Sequence, residues 1–250
     1  MQGFTSIVIT GASSGIGEAL ALDYAAPGIA LALSGRDAQR LDAVAAACRA
    51  KGATVDAGRI DVVDRGVLAE WLTKFDDAHP VDLVIANAGI SIDKDNSSLD
   101  DFSVVRRTLD VNVGGVLNTV EPLVARMMAR KRGQIAVVSS LAGFVGLPYS
   151  ASYNASKAAV RVWGESIRYV LKKSGIGVSV ICPGFVVSRM TANAPFPMPF
   201  LMTSARASSI IRRGLERNHA RIAFPIGTKA AVWLGGVLPG GLTARLLGAA

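Results

Sequence analysis

The chain has 250 residues, of which 50 % are hydrophobic and 6 % aromatic, and carries a formal net charge of +8. That length suits one domain with a sizeable core, and the composition suits a sheet of Val, Ile, Ala and Leu wrapped by helices. Cys48 and Cys182 lie far apart, and neither His79 nor His219 has a cysteine near it; no disulfide framework and no metal site is expected.

The chain opens on Phe-Thr-Ser-Ile-Val-Ile-Thr, residues 4–10, an apolar β-branched run that reads as a buried parallel strand. It begins almost at Met1, so no secretory signal is expected and a cytoplasmic chain is the default. Gly11-Ala12-Ser13-Ser14-Gly15-Ile16-Gly17 follows, then a helical stretch from Glu18. A strand, a glycine turn and a helix N-terminus together hold pyrophosphate. Free amides and the positive end of the helix dipole face the anion, and glycines let the backbone come close. The alternative is a tight turn with no ligand.

Apolar strands then alternate with helical patterns. Strands are expected near 4–10, 29–34, 54–60, 81–86, 133–139, 177–182 and 221–224, and helices near 15–26, 37–51, 64–77, 100–131, 152–173 and 204–217. The alternation predicts a single α/β domain over 1–250, a Rossmann-type doubly wound parallel sheet. Gly11, Arg36, Asn87, Ser140 and Pro183 all follow expected strands, so they should meet on one edge. The second strand ends in Ser34-Gly35-Arg36-Asp37. An acidic residue there would bind ribose hydroxyls and repel a 2′-phosphate, whereas Arg36 offers a planar cation suited to phosphate. Asp37 reads as a helix cap. Tyr153 and Lys157, four residues apart, share one helix face, thirteen residues after Ser140. The ammonium favours phenolate and makes Tyr153 a usable acid or base.

Residues Thr10 to Gly17, spaced Gly-x-x-x-Gly-x-Gly, resemble the cofactor loop of the short-chain dehydrogenase/reductase family. Further matches follow in order over roughly residues 4–190: Asn87-Ala88-Gly89, Asn112, Ser139-Ser140, Tyr153-x-x-x-Lys157 and Pro183-Gly184. Two departures stand out. Ala86 replaces the first Asn of the usual Asn-Asn-Ala-Gly, and Ser188 replaces a commoner threonine. The resemblance implies Asn112, Ser140, Tyr153 and Lys157 as the catalytic set, with Asn112 anchoring a water that joins Lys157 to a proton relay. It implies cofactor contacts from Gly11, Ser13, Ser14, Gly15, Ile16, Gly17, Arg36, Asp61, Val62, Asn87, Ala88, Gly89, Tyr153, Lys157, Pro183, Gly184, Val186 and Ser188. Asp61 would meet the adenine amino group or, on its own, cap a helix. With Arg36, NADP(H) is expected ahead of NAD(H). The reaction implied is reversible reduction of a ketone to a secondary alcohol, in a homodimer or homotetramer paired through the helices near 100–131 and 152–173.

The last quarter carries no comparable motif. Residues 188–205 match the family's substrate lid. Within Ser188–Met202, three prolines, three methionines and two phenylalanines suggest an apolar, lipid-like or acyl-linked carbonyl substrate. From Ser188 onward there are eight cations and one anion, Glu216, a bias that attracts anionic partners. No nucleic-acid recognition module is visible. The tail, 228–250, is apolar and basic, but its uncharged run, 230–244, falls short of the roughly twenty apolar residues that span a bilayer. It would pack on its own domain, on a second subunit, or peripherally on the inner face of a membrane. The competing reading of the whole chain is a membrane-associated or regulatory NADP(H)-binding protein with little turnover.

Overall fold

The computed structural model describes residues 3–91, 101–146, 151–192 and 198–227. The apolar runs become the strands β1 (Ser6–Thr10), β2 (Ala30–Ser34), β3 (Thr54–Gly58), β4 (Leu83–Ala86), β5 (Gln134–Val138), β6 (Gly177–Pro183) and β7 (Arg221–Phe224). They form one parallel sheet in the order β3-β2-β1-β4-β5-β6-β7. Between them lie α1 (Gly15–Tyr24), α2 (Ala38–Ala50), α3 (Arg65–Ala78), α4 (Phe102–Leu109), α5 (Gly115–Arg130), α6 (Ala151–Leu171) and α7 (Ser204–Glu216).

The strands β1, β2, β4, β5 and β6 are buried along their whole length because both faces are covered, whereas the edge strands β3 and β7 are partly exposed. Ile7, Ile9, Leu31, Leu33 and Ile85 point to one face, against Leu20 and Tyr24 of α1, Leu41 and Val44 of α2, and Ile211 and Leu215 of α7. Val8, Val84, Ile135, Val137 and Val180 point to the other, against Leu68 and Leu72 of α3, Leu123 and Met127 of α5, and Val160 of α6. Leu68, Leu72 and Phe75 sit one helical turn apart, the stripe a half-buried helix needs.

One buried charge ties α3 to α5. The Asp76 side chain is 0 % exposed and receives Arg130 through two bonds of 2.8 Å, Arg126, and the Val81 amide at 2.8 Å. Burial alone would raise its carboxyl; the bonds from Arg130, Arg126 and Val81 outweigh that and hold it below the ordinary value. Asp76→Ala should therefore destabilise the fold by about 3 kcal/mol, since it strands two guanidiniums and an amide. Chemical denaturation at neutral pH measures this, and a loss under about 1 kcal/mol would contradict the assignment. A lowered carboxylate stabilises above its unfolded value, so the contribution fades as acid protonates Asp76.

The expected single helix over 100–131 is broken. A π-helical turn, Asp110–Gly114, separates α4 from α5. Val111, Asn112, Val113 and Gly114 are poor helix formers, and the wider turn lets Asn112 point inward. Among the described residues no helix is long and apolar enough to cross a membrane. The expected tail, 228–250, and part of the lid, 193–197, lie outside the described residues. The chain on either side of this segment is tied together: Val186 pairs with Met202, and the Val187 amide donates to the Met202 carbonyl at 2.8 Å.

Candidate active site

Parallel strands bring all their carboxyl ends to one edge, with the order reversing between β1 and β4. There the glycine turn follows β1. Gly11 has φ +67, and a Cβ at Gly17 would lie 2.3 Å from the Gly11 carbonyl oxygen. No larger residue fits at Gly17. Asn87 staples β4 to this turn, donating from Nδ2 to the Thr10 and Gly11 carbonyls at 2.9 and 3.2 Å. The Thr10 hydroxyl accepts from the Asn87 and Ala88 amides. Ser13 packs against Gly35, and Ser188, from the segment after β6, packs over Gly15, each 3.0 Å from where the glycine's Cβ would sit.

The cap of α1 differs from its neighbours. Asp37, Asp64, Asp101 and Thr203 cap α2, α3, α4 and α7 with side-chain oxygens, whereas Ser14 makes no side-chain bond to α1. Its first amides are left for an external acceptor, so the turn fits a pyrophosphate. Ile16 packs against the core beside it.

Further along the edge, Ser139 and Ser140 end β5. Ser139 Oγ donates to the Lys157 carbonyl at 2.7 Å, pinning α6 to the strand. Ser140 opens a single 3-10 turn, Leu141–Gly143; its Oγ accepts from the Ala142 amide at 3.1 Å and donates to the Pro183 carbonyl at 3.4 Å. That last bond is long and easily exchanged for another oxygen. Gly184 donates to the Phe224 carbonyl at 2.7 Å, setting the exit of β6.

Lys157 is 3 % exposed; its Nζ donates to the Val138 carbonyl at 2.9 Å and lies 5.6 Å from the Tyr153 ring centroid. Burial pushes its pKa down to about 8. A Cβ on Gly89 would sit 3.2 Å from both Lys157 Nζ and Asn112 Oδ1, so these three residues meet. Asn112 is fully buried. Its Oδ1 accepts from the Ile90 amide at 2.8 Å, and its Nδ2 donates to the Ile90 carbonyl at 2.9 Å and to Ser156 Oγ at 3.0 Å. Ser156 in turn donates to the Tyr153 carbonyl at 2.7 Å. Three of the four hydrogen-bonding positions of the Asn112 amide are thus taken by protein, and its side chain ties the loop after β4, the π turn and α6 together.

The structure thus gathers Asn112, Ser140, Tyr153 and Lys157 on one edge with the glycine turn. The adenosine end is less simple. Arg36 is well exposed, with its guanidinium 4.0 Å from Asp61. Asp61 Oδ2 accepts from Arg107 at 2.9 Å, and its Oδ1 from the Val63 amide, while Asp64 is the α3 cap. Val62 is buried, with its carbonyl taken by Asn118, and Val186 is buried against Met202. Sequence reasoning missed Ser156 and Arg107. Ser156 stands inside the Tyr-x-x-x-Lys segment, where a hydroxyl beside two singled-out residues was the available signal. Arg107 meets Asp61 only through the fold, and no spacing announces it.

A pyrophosphate-ready turn at the reversal of a parallel sheet, with a buried lysine under a tyrosine, defines an NAD(P)-dependent oxidoreductase. Residues 5–196 match the short chain dehydrogenase family. The chain belongs to the short-chain dehydrogenase/reductase family. An uncharacterized oxidoreductase of Myxococcus xanthus is 38 % identical over 237 residues, covering 94 % of this chain and 93 % of its own. The 11-beta-hydroxysteroid dehydrogenase A of Sesamum indicum is 30 % identical, over 91 % of this chain and 70 % of its own. The short-chain dehydrogenase from Sphingobium yanoikuyae, solved in complex with NADPH, superimposes with a TM-score of 0.82 at 25 % identity, covering 98 % of this chain and 94 % of its own.

Proposed function

We propose that the protein is an NADPH-dependent carbonyl reductase, acting reversibly on an apolar, lipid-like or acyl-linked ketone. The observation that carries the reading is the fully buried Lys157 ammonium beside the Tyr153 ring, at the strand edge that also holds Ser140. NADPH, when bound, supplies the hydride. Ser140 exchanges its long bond to Pro183 for one to the carbonyl oxygen and so stabilises the charge developing there. Tyr153 gives that oxygen its phenolic proton, and Lys157 stabilises the phenolate left behind until solvent returns the proton. Asn112, through Ile90 and Ser156, holds the Gly89 turn and the first turn of α6 in register. Asn112 would also anchor the water that joins Lys157 to a proton relay.

Support for an apolar substrate comes from Val187, Met190, Phe200 and Leu201, which stand well exposed on the segment flanking Ser188, and from the steroid-named relative. NADPH is favoured by Arg36, the arginine just past β2. Arg36→Gln should weaken NADPH binding about tenfold or more and leave NADH nearly unchanged, as loss of a charge-assisted pair implies. Fluorescence titration of both cofactors reads this; equal loss for both would remove Arg36 from selectivity. The parent test is NADPH and NADH oxidation against 3-ketoacyl thioesters, long-chain ketones, steroids, quinones and keto-sugars. Turnover of apolar ketones with NADPH supports the reading. Turnover confined to small polar ketones, or a preference for NADH, refutes the part concerned.

A further inference from the structure

The turn that carries Ser140 is a single 3-10 turn, Leu141–Gly143, yet it is gripped from outside. Arg161, one helical turn beyond Lys157, donates from Nε to the Gly143 carbonyl at 3.2 Å. Its guanidinium also lies over the Phe144 ring, with Cζ 4.4 Å from the centroid. Arg221, from β7, reaches the same ring at 5.2 Å. Two cations beside one ring would repel each other. The Glu165 carboxylate offsets this, accepting from Arg161 at 3.2 Å on Oε2 and from Arg221 Nε at 2.9 Å on Oε1.

The Arg161–Glu165 pair is sheltered, with side chains 19 % and 26 % exposed, so water screens it less than a surface pair, while Arg221 at 41 % is more open. The turn also rests directly on α6. A Cβ at Gly143 would lie 2.7 Å from the Lys157 main-chain carbon. Gly143 therefore lets the turn touch the helix at the lysine itself, and Arg161 closes the contact from the far side. The Ser140 hydroxyl has its own bond to Pro183, but at 3.4 Å that bond is too long to fix it. Its position is inherited from the turn.

We propose that Arg161, together with Phe144, Glu165 and Arg221, is a positioning clamp for Ser140. It sets where the carbonyl oxygen is held without touching the reacting atoms. The inference rests on the reading of Ser140 as the group that binds that oxygen. Small displacements of a positioning group are expensive in rate, so the clamp acts on turnover more than on cofactor binding.

The test compares Arg161→Gln, Arg161→Lys and Phe144→Leu, each alone and with Ser140→Ala, using NADPH and the best carbonyl of the panel above. Arg161→Gln should lower kcat about tenfold, with NADPH affinity changed less than about twofold. In the Ser140→Ala background the same change should cost less than about twofold, because the group it positions is gone. Arg161→Lys keeps the charge but loses the fork and should recover only part of the rate. Amide exchange should quicken at 141–144 and little elsewhere. Equal losses in both backgrounds, or unchanged exchange at 141–144, would overturn the clamp. Should Arg161→Gln fail to fold, Phe144→Leu, which leaves the ion pairs standing, decides alone. A harmless Ser140→Ala would sink the active-site reading and the clamp with it. A crippling Ser140→Ala beside silent Arg161→Gln and Phe144→Leu would sink the clamp only.

Discussion

Tyr153→Phe should lower carbonyl-reductase turnover by about a thousandfold, because it removes one oxygen and with it the proper proton donor. The aromatic ring stays in place, so the packing around Lys157, 5.6 Å from the ring centroid, is kept. NADPH affinity should change by less than about threefold, since the glycine turn, the uncapped α1 and Arg36 are untouched. Steady-state turnover and a fluorescence titration on the same preparation separate the two effects. A variant that loses binding and turnover together would mean that Tyr153 builds the site rather than reacts in it. A variant that keeps full activity would leave proton donation to some other group.

Lys157→Met should do two things in opposite directions. Turnover should fall by about a hundredfold or more, since no ammonium remains to favour the Tyr153 phenolate. The cofactor-free fold should become more stable at neutral pH. Burial has moved the Lys157 pKa from 10.5 to about 8, so folding pays for burying its charge. That difference corresponds to about 3 kcal/mol at most, and the Val138 carbonyl, losing its donor, returns about 1 kcal/mol of it. The sign follows from proton counts. Between pH 8 and 10.5 the unfolded chain holds one more proton than the folded one, so wild-type stability rises with pH across that window. Below pH 8 both states are charged and the whole penalty stands. The advantage of Lys157→Met, read by denaturant unfolding, should therefore be largest near neutrality and shrink toward pH 10.5. A less stable variant at neutral pH would contradict the picture of a desolvated ammonium. Wild-type reductive turnover should also decline as pH rises through about 8, where the ammonium is lost.

The sheet was legible because its signal is local. Runs such as Ile7 to Ile9 and Leu83 to Ile85 are apolar on both faces, which only a strand covered on both sides tolerates. Asp37 could be read as a cap because a cap sits one residue before its helix, and it does accept from the Arg40 amide. The break at Asp110–Gly114 was not read, since periodicity runs on through a π turn; the weak helix formers there permit it, and the bonds from Asn112 to Ile90 and Ser156, which hold it, are tertiary. The order Gly11, Asn112, Ser140, Tyr153, Lys157 could be read from the family resemblance. What it could not give is the commitment of each group. Asn112 appeared as a water anchor, and its side chain also holds Ile90 and Ser156. Asp61 appeared as an adenine partner or a cap, and Arg107 from α4 already holds one of its oxygens. Arg161 and Arg221 could not be connected from the sequence, because their shared ring at Phe144 lies in a turn that no spacing links to them.

The most direct measurement is isotopic. The protein is incubated with NADPH deuterated at its transferable hydride and the pooled carbonyl panel, and the alcohols formed are analysed by mass spectrometry. The account predicts one deuterium on the carbinol carbon of an apolar alcohol, formed by the wild type and lost with Tyr153→Phe. Tight NADPH binding with no deuterated alcohol from any carbonyl would contradict it, leaving a chain that holds the cofactor and reduces none of these ketones.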